Sequence, residues 1–217
     1  MTTPCIDYAR EHLEKHGYEV LVFHATGTGG RTMESLIEAG FIDGVLDLTT
    51  TEWCDELVGG VLSAGPHRLE AAGRWKVPQV VSTGALDMVN FGPYDTVPGA
   101  FRERNLYKHN PSVTLMRTTV EENRRLGEIL AGKLNEAQGP TALMLPLKGV
   151  SMLDVEGQPF RGAEEDEMLF NTLRERINRE AVELIEMDTD INDRSFAVAA
   201  ADKLMEMMRQ HETDAKN

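Results

Sequence analysis

The sequence predicts an α/β fold: a doubly wound, Rossmann-like, mostly parallel sheet with helices on both faces. Three observations carry this reading. Short apolar runs alternate with amphipathic stretches along the whole chain, the pattern of strands joined by covering helices. The first apolar run opens into a glycine-rich loop at the start of a helix. Polar residues collect just after the apolar runs, where open α/β sheets bind their ligands.

The elements follow in order. Thr3 is the expected N-cap of a first helix, with Pro4 at its first position, and Gly17 stops it after about Glu14. Residues 19–23 form an apolar run expected as a buried strand, followed by a helix over 30–39. A strand is expected at 44–48, then a capping segment (Thr49, Thr50, Thr51, Glu52) before a short helix. A helical stretch at 66–76 precedes a strand at 78–82 and a loop at 83–92. The region 93–112 contains Pro93, Pro98 and Pro111 and shows no period, which suggests a lid, a partner surface or disorder. A short strand at 113–116, a long helix at 119–137, a strand at 141–145, a helix at 164–179, a strand at 182–187 and a helix at 193–209 complete a single domain over 1–210. Residues 211–217 form a polar tail expected to fray. Doubly wound domains usually begin with a strand, so a helical start suggests a cut inside a longer protein.

With 217 residues and 41% hydrophobic content, the chain can bury a substantial core. Its formal charge is 22 − 36 = −14, which argues against nucleic acid or an anionic membrane as a partner, since both require a basic footprint. No signal peptide and no apolar run near ~18 residues is present. Cys5 and Cys54 are too few and too far apart for a zinc ribbon or disulfide framework, and a reduced cytoplasmic setting is expected.

The loop His24, Ala25, Thr26, Gly27, Thr28, Gly29, Gly30, Arg31 is the strongest local signal. Backbone amides converge at a helix N-terminus, the dipole favours negative charge, and glycines let a phosphate approach. The pattern is Gly-x-Gly-Gly, neither the dinucleotide fingerprint nor a P-loop. An anionic ligand and a tight turn that only packs helix on strand are both open. Further polar groups follow the later strands: Thr49, Thr50, Thr51 and Glu52; Ser82, Thr83, Gly84, Asp87 and Asn90; Lys148 and Ser151; and Asp188. Each also has a structural reading: threonines cap helices, Glu52 complements a helix dipole, and Asp87 and Asn90 could bond within a turn. Lys148 could neutralise a phosphate or be a solvated loop residue. His24, Glu52 and Asp87 are the candidate acids or bases. A zinc site made by protein ligands alone is not expected, but Glu52 or Asp87 could hold magnesium through water.

The segments HATGTGGRTMESLI, IDGVLDLTTTE, DELVGGVLSAGPHRLEAA, VPQVVSTGALDMVNFG and HNPSVTLMRTT resemble the tomato mosaic virus resistance protein-like ATP-binding family. The resemblance runs from Thr2 to about Arg161. It implies two Rossmann-like domains in tandem, of which this chain is similar to the second, with a companion N-terminal domain. In plant members a TIM-barrel-like domain follows. It also implies ATP binding, without an established reaction. The family-like site candidates are Thr26 to Arg31, the triple threonine with Glu52, and the loop from Asp87 to Asn90.

The expected function is thus binding of ATP, another nucleotide or another small anion at the C-terminal sheet edge. Two alternatives stand beside it. One is a catabolic enzyme acting on a phosphorylated or carboxylated small molecule. The other is an assembly module, in line with an expected homo-oligomer.

Overall fold

The computed structural model describes residues 1–214. Its centre is a four-stranded parallel sheet in the order β1–β2–β6–β7, formed by Val45–Thr49, Gln79–Gly84, Thr141–Pro146 and Glu183–Met187. Register pairs Val45 with Gln79, Gln79 with Thr141 and Ala142 with Glu183. β2 and β6 are buried at every position, as expected of central strands covered on both faces.

Helices supply that cover. On one face α1 (Thr3–Lys15) and α7 (Arg194–Asp214) pack Cys5, Ala9 and Leu13 against Phe196, Ala200 and Leu204. On the other, α5 (Val120–Asn135) and α6 (Ala163–Arg176) contribute Leu126, Leu130, Leu134, Leu169 and Leu173, beside α3 (Glu52–Val58). α5 starts on a complete capping box between Thr119 and Glu122. Gly127 lets α5 approach α6, since a Cβ there would lie 2.9 Å from Thr172. Two shorter helices, α2 (Thr28–Glu38) and α4 (Ala71–Arg74), flank β1 through Met33, Ile37 and Ala72.

Several elements differ from the sequence reading. Residues 19–23 are not a strand: they run beside β1 without pairing. Val20 packs on the α1–α7 core, whereas Leu21 and Val22 are 54% and 40% exposed. An apolar run reports a tendency to bury, but a strand also needs a ladder partner within reach, and a cleft of about 690 Å³ separates this run from β1. The stretch 66–76 is helical only over α4, because Leu69 adopts φ 72° and breaks the turn before it.

The region 83–112 holds regular structure that its composition hid. A turn leads into β3 (Met88–Phe91), which joins β5 (Val113–Arg117) and β4 (Leu106–Asn110) in an antiparallel sheet ordered β3–β5–β4. Pro93 and Pro98 each open a 3-10 turn, Tyr94–Thr96 and Gly99–Phe101. Pro111 sits in the β4–β5 hairpin, where the Asn110 side chain accepts the Ser112 amide at 2.8 Å. Thr2, not Thr3, precedes α1, and its side chain makes no cap bond. At the other end α7 continues through Asp214; residues 215–217 of the tail expected to fray lie outside the described residues.

Candidate functional site

The glycine loop sits beside the carboxyl end of β1, and two of its backbone amides are taken by a carboxylate of the protein itself. Glu52 Oε1 accepts the Gly27 amide at 2.6 Å and the Gly30 amide at 3.1 Å. Glu52 opens α3 directly after the β1 loop, and its side chain is fully enclosed. Gly27 needs its φ of 81°, where a side chain would be strained. Gly30 needs its missing Cβ, which would lie 2.6 Å from Glu52 Oε1 and 2.7 Å from Arg68 Nε. Gly30→Ala is therefore expected to cost about 1–3 kcal/mol through overpacking. Equilibrium urea unfolding measures this, with Gly132→Ala, where the added methyl has open space, as the control.

Behind Glu52 lies a buried ion cluster. Arg68 Nε donates to Glu52 Oε2 at 2.6 Å, and its two terminal nitrogens bracket Asp47, with Nη2 at 2.7 Å from Oδ1. Glu34 stands 3.4 Å from Arg68 and accepts the Leu69 and Ala71 amides at 2.7 and 2.8 Å. Arg68 is 3% exposed. Burial pulls its pKa down, but Asp47 and Glu52 outweigh that and hold it above the usual arginine range. Burial raises the Glu34 carboxyl, opposed by its amide donors and Arg68.

The triple threonine is spent on structure. Thr49 Oγ1 and Thr2 Oγ1 share a 2.8 Å hydrogen bond, Thr50 Oγ1 donates to the Ser82 carbonyl at 3.0 Å, and Thr51 Oγ1 to the Met88 carbonyl at 3.1 Å. Asn90 is equally committed: its amide and Nδ2 donate to Asp55 at 2.6 and 3.0 Å. Asp55 also accepts the Leu62 amide at 3.1 Å. Burial pushes Asp55 up to about 6 against these donors.

Asp87 belongs to a second enclosed cluster. Its Oδ2 accepts Ser151 Oγ at 2.7 Å, while its Oδ1 has no partner among the described residues. Burial lifts it to about 6, opposed by Arg117. Arg117 Nη2 reaches Asp166 at 2.8 Å and Asp154 at 3.3 Å, Arg161 pairs with Asp166, and Asp154 accepts the Val150 amide at 2.9 Å. Burial, then Asp166 and Asp87, push Asp154 up to about 8.

Neither Glu52 nor Asp87 presents an oxygen to solvent, so water-bridged magnesium does not fit either carboxylate in this arrangement. What faces solvent at the loop is a smaller set: Thr26, Thr28, Arg31 and His24 are exposed. Thr28 and Gly29 are first-turn amides that a helix leaves without an internal acceptor. Arg31 crosses to the Ser63 carbonyl at 2.9 Å. Lys148 pairs with Asp188 at 2.8 Å, both exposed.

The central residues missed in the sequence are Arg68, Asp47, Asp55, Arg117 and Asp154. One signal was available: Asp47 interrupts the apolar run of β1, and a charge inside a covered strand requires a partner. The partner's identity was not legible, because Arg68 lies 21 residues away.

Residues 1–208 match the family model described as "Uncharacterised protein family (UPF0261) C-terminal domain". The chain belongs to UPF0261. A UPF0261 protein of Clostridium tetani (strain Massachusetts / E88) is 61% identical over 210 residues, covering 97% of this chain and 52% of that protein. A UPF0261 protein of Rhizobium meliloti (strain 1021) is 49% identical over 201 residues, covering 92% and 50%. The ToMV resistance protein Tm-1(GCR237) of Solanum lycopersicum is 47% identical over 208 residues, covering 95% and 28%. The chain thus spans about half the length of these bacterial UPF0261 relatives. Among its described residues no helix is long and apolar enough to cross a membrane.

Proposed function

We propose that this UPF0261 domain binds a phosphate-bearing small molecule, with ATP the first candidate, at the solvent side of the glycine loop. The observation that carries this reading is the donor set left over once Glu52 has taken Gly27 and Gly30. The Thr28 and Gly29 amides, the Thr28 hydroxyl and the Arg31 guanidinium lie together at the positive end of α2. That set suits one phosphate group. The Glu52 anchor fixes the loop in advance, which lowers the ordering cost of binding. With Glu52 and Asp87 enclosed, the geometry favours binding over turnover by this domain alone.

The companion half of the longer relatives belongs in the same proposal. Met1 and Thr2 lie over the carboxyl edge of the sheet: the Met1 carbonyl accepts the Met152 amide at 3.1 Å and Asn192 Nδ2 at 2.9 Å. The bacterial relatives extend to about twice the length of this chain, and their companion half is proposed to add to the ligand contacts. The assembly reading is favoured by one observation: the outer edge of β4 has no strand partner among the described residues, and the partly exposed Tyr94 lies under Lys108 of that strand.

Titration calorimetry with ATP and magnesium tests the binding reading. Arg31→Ala is expected to weaken binding roughly tenfold, the loss of about 1.4 kcal/mol of charge-assisted contact. Gly29→Val should abolish it, since a side chain at that position runs into the His24 carbonyl. Circular dichroism separates lost binding from lost fold. Absence of binding by the wild-type chain, or equal binding by wild type and Arg31→Ala, would overturn the assignment.

A further inference from the structure

We propose that the enclosed cluster around Arg117 is a proton-binding site: Asp154 is kept as a neutral acid that donates to the Asp166 carboxylate, and this bond ties the β6–α6 connection, residues 147–162, to pH. The two carboxyls lie within hydrogen-bond reach of each other. A carboxylate can only accept, so one partner of such a pair keeps its proton. The surrounding contacts decide which one. Both oxygens of Asp166 are held by guanidinium groups, Oδ1 by Arg117 Nη2 at 2.8 Å and Oδ2 by Arg161. Asp154 Oδ1 stands 3.3 Å from Arg117 and 4.0 Å from Arg161, while its Oδ2 takes the Val150 amide at 2.9 Å. Asp166 is therefore the better-stabilised anion and Asp154 the acid.

The other charges around the pair favour the same state. Asp154 is fully enclosed, and Asp87 faces it from the turn before β3. Glu165 of α6 and Arg117 meet over Gly162, where a Cβ would lie 2.5 Å from one and 2.7 Å from the other. Within the connection itself, Glu156 draws on Arg161 at 3.7 Å. Against these carboxyls stand Arg117, Arg161 and, facing Asp87, the Met1 amine. Burial, then Asp166 and Asp87, raise the Asp154 carboxyl; burial raises Asp166 against the pull of Arg117. The connection hangs on this cluster. Besides the Val150 amide, the Phe160 carbonyl accepts Arg117 Nε at 2.7 Å, and Ser151 Oγ donates to Asp87 at 2.7 Å. Release of the proton sets two carboxylates against each other beneath these contacts, at the carboxyl edge of the sheet.

Infrared spectroscopy of the full chain reads the proton directly, because the C=O stretch of a neutral carboxyl stands apart from the carboxylate bands. The wild type is expected to show a neutral-carboxyl band at about pH 7, which Asp154→Asn loses and Asp87→Asn keeps. Asp166→Asn takes away the like charge, so the band should titrate at least about one pH unit lower. A wild type that lacks the band while its circular dichroism is native would overturn the proposal, as would a band that survives Asp154→Asn. Hydrogen exchange supplies a second arm. From about pH 6 to 9 the protection of the Val150 amide, corrected for the intrinsic rate, should fall at least about tenfold more than that of Ala200 in α7, which reports global unfolding. Equal falls at the two amides would count against a tie between the proton and the connection.

Discussion

Arg68→Ala is expected to be the most damaging single truncation in the molecule, costing about 3–5 kcal/mol, a large part of the stability of a domain this size. The cause is what remains. Asp47 and Glu52, with side chains 6% and 0% exposed, keep their positions but lose their counter-charge, and Glu34 stands beside them. Breaking a buried pair leaves an uncompensated charge, which costs far more than the pair contributes to stability. Asp47→Asn should cost less, because Arg68 retains Glu52. The double variant should fall well short of the sum of the two, since it removes both sides of one interaction. Urea unfolding of the four proteins measures all three quantities. Additive costs would mean that Arg68 and Asp47 are not coupled. A secondary effect should appear at the glycine loop: Glu52 freed from Arg68 holds Gly27 and Gly30 less firmly, so their amides exchange faster.

The second large effect is a fall in stability as pH rises from about 5 to 8. Burial raises the folded pKa of Asp55 and Asp87 to about 6 and of Asp154 to about 8. In the unfolded chain such groups titrate near 3.9. Between the two values the native state holds protons that the unfolded chain has released. Each group's contribution is therefore fully present below pH 4 and is lost as pH rises through the folded pKa. The slope is negative, on the order of 1 kcal/mol per pH unit for each group within its window. Carboxyls with lowered pKa, such as Glu70, Glu186 and Asp193, lose their effect only below the window. The Met1 amine, lowered by burial, works the other way near the top of it. Asp154→Asn should flatten the profile between pH 6 and 8 while leaving Arg117 paired with Asp166. Melting temperatures across pH 5–8 for wild type and variant check this. A wild-type profile that rises with pH would contradict the burial of these three carboxyls.

The two clusters share one origin. Each joins segments distant in sequence at the carboxyl end of the sheet: β1, α2, α3 and the 66–70 turn around Arg68, and β5, α6 and the 149–162 loop around Arg117. Apolar packing builds the layers on either side, but the relative placement of these loops is set by ion pairs and amide donors. A polar lock of this kind is directional, and it fixes the glycine loop more tightly than apolar contact alone would.

The sequence by itself determined the class of this fold and most of its layers. The runs at 44–48, 78–82, 141–145 and 182–187 became β1, β2, β6 and β7. The long periodic stretches became α1, α5, α6 and α7. Burial periodicity is a local property, and long amphipathic segments display it plainly. The segments that resemble a known family were likewise legible, and they led to UPF0261.

Tertiary structure alone decided the rest. Whether residues 19–23 pair with β1 depends on a neighbour and a cleft, not on their own apolar character. The antiparallel sheet within 88–117 was hidden because its prolines mark 3-10 turns and a hairpin, which read locally as breaks. At the glycine loop the residue pattern predicted donors for an anion, but only the fold shows that Glu52 occupies two of them. The physical reason is the same in each case. Propensity and periodicity are written into neighbouring residues, while ladder partners, counter-charges and the occupant of a cradle come from residues that the fold brings together from far along the chain.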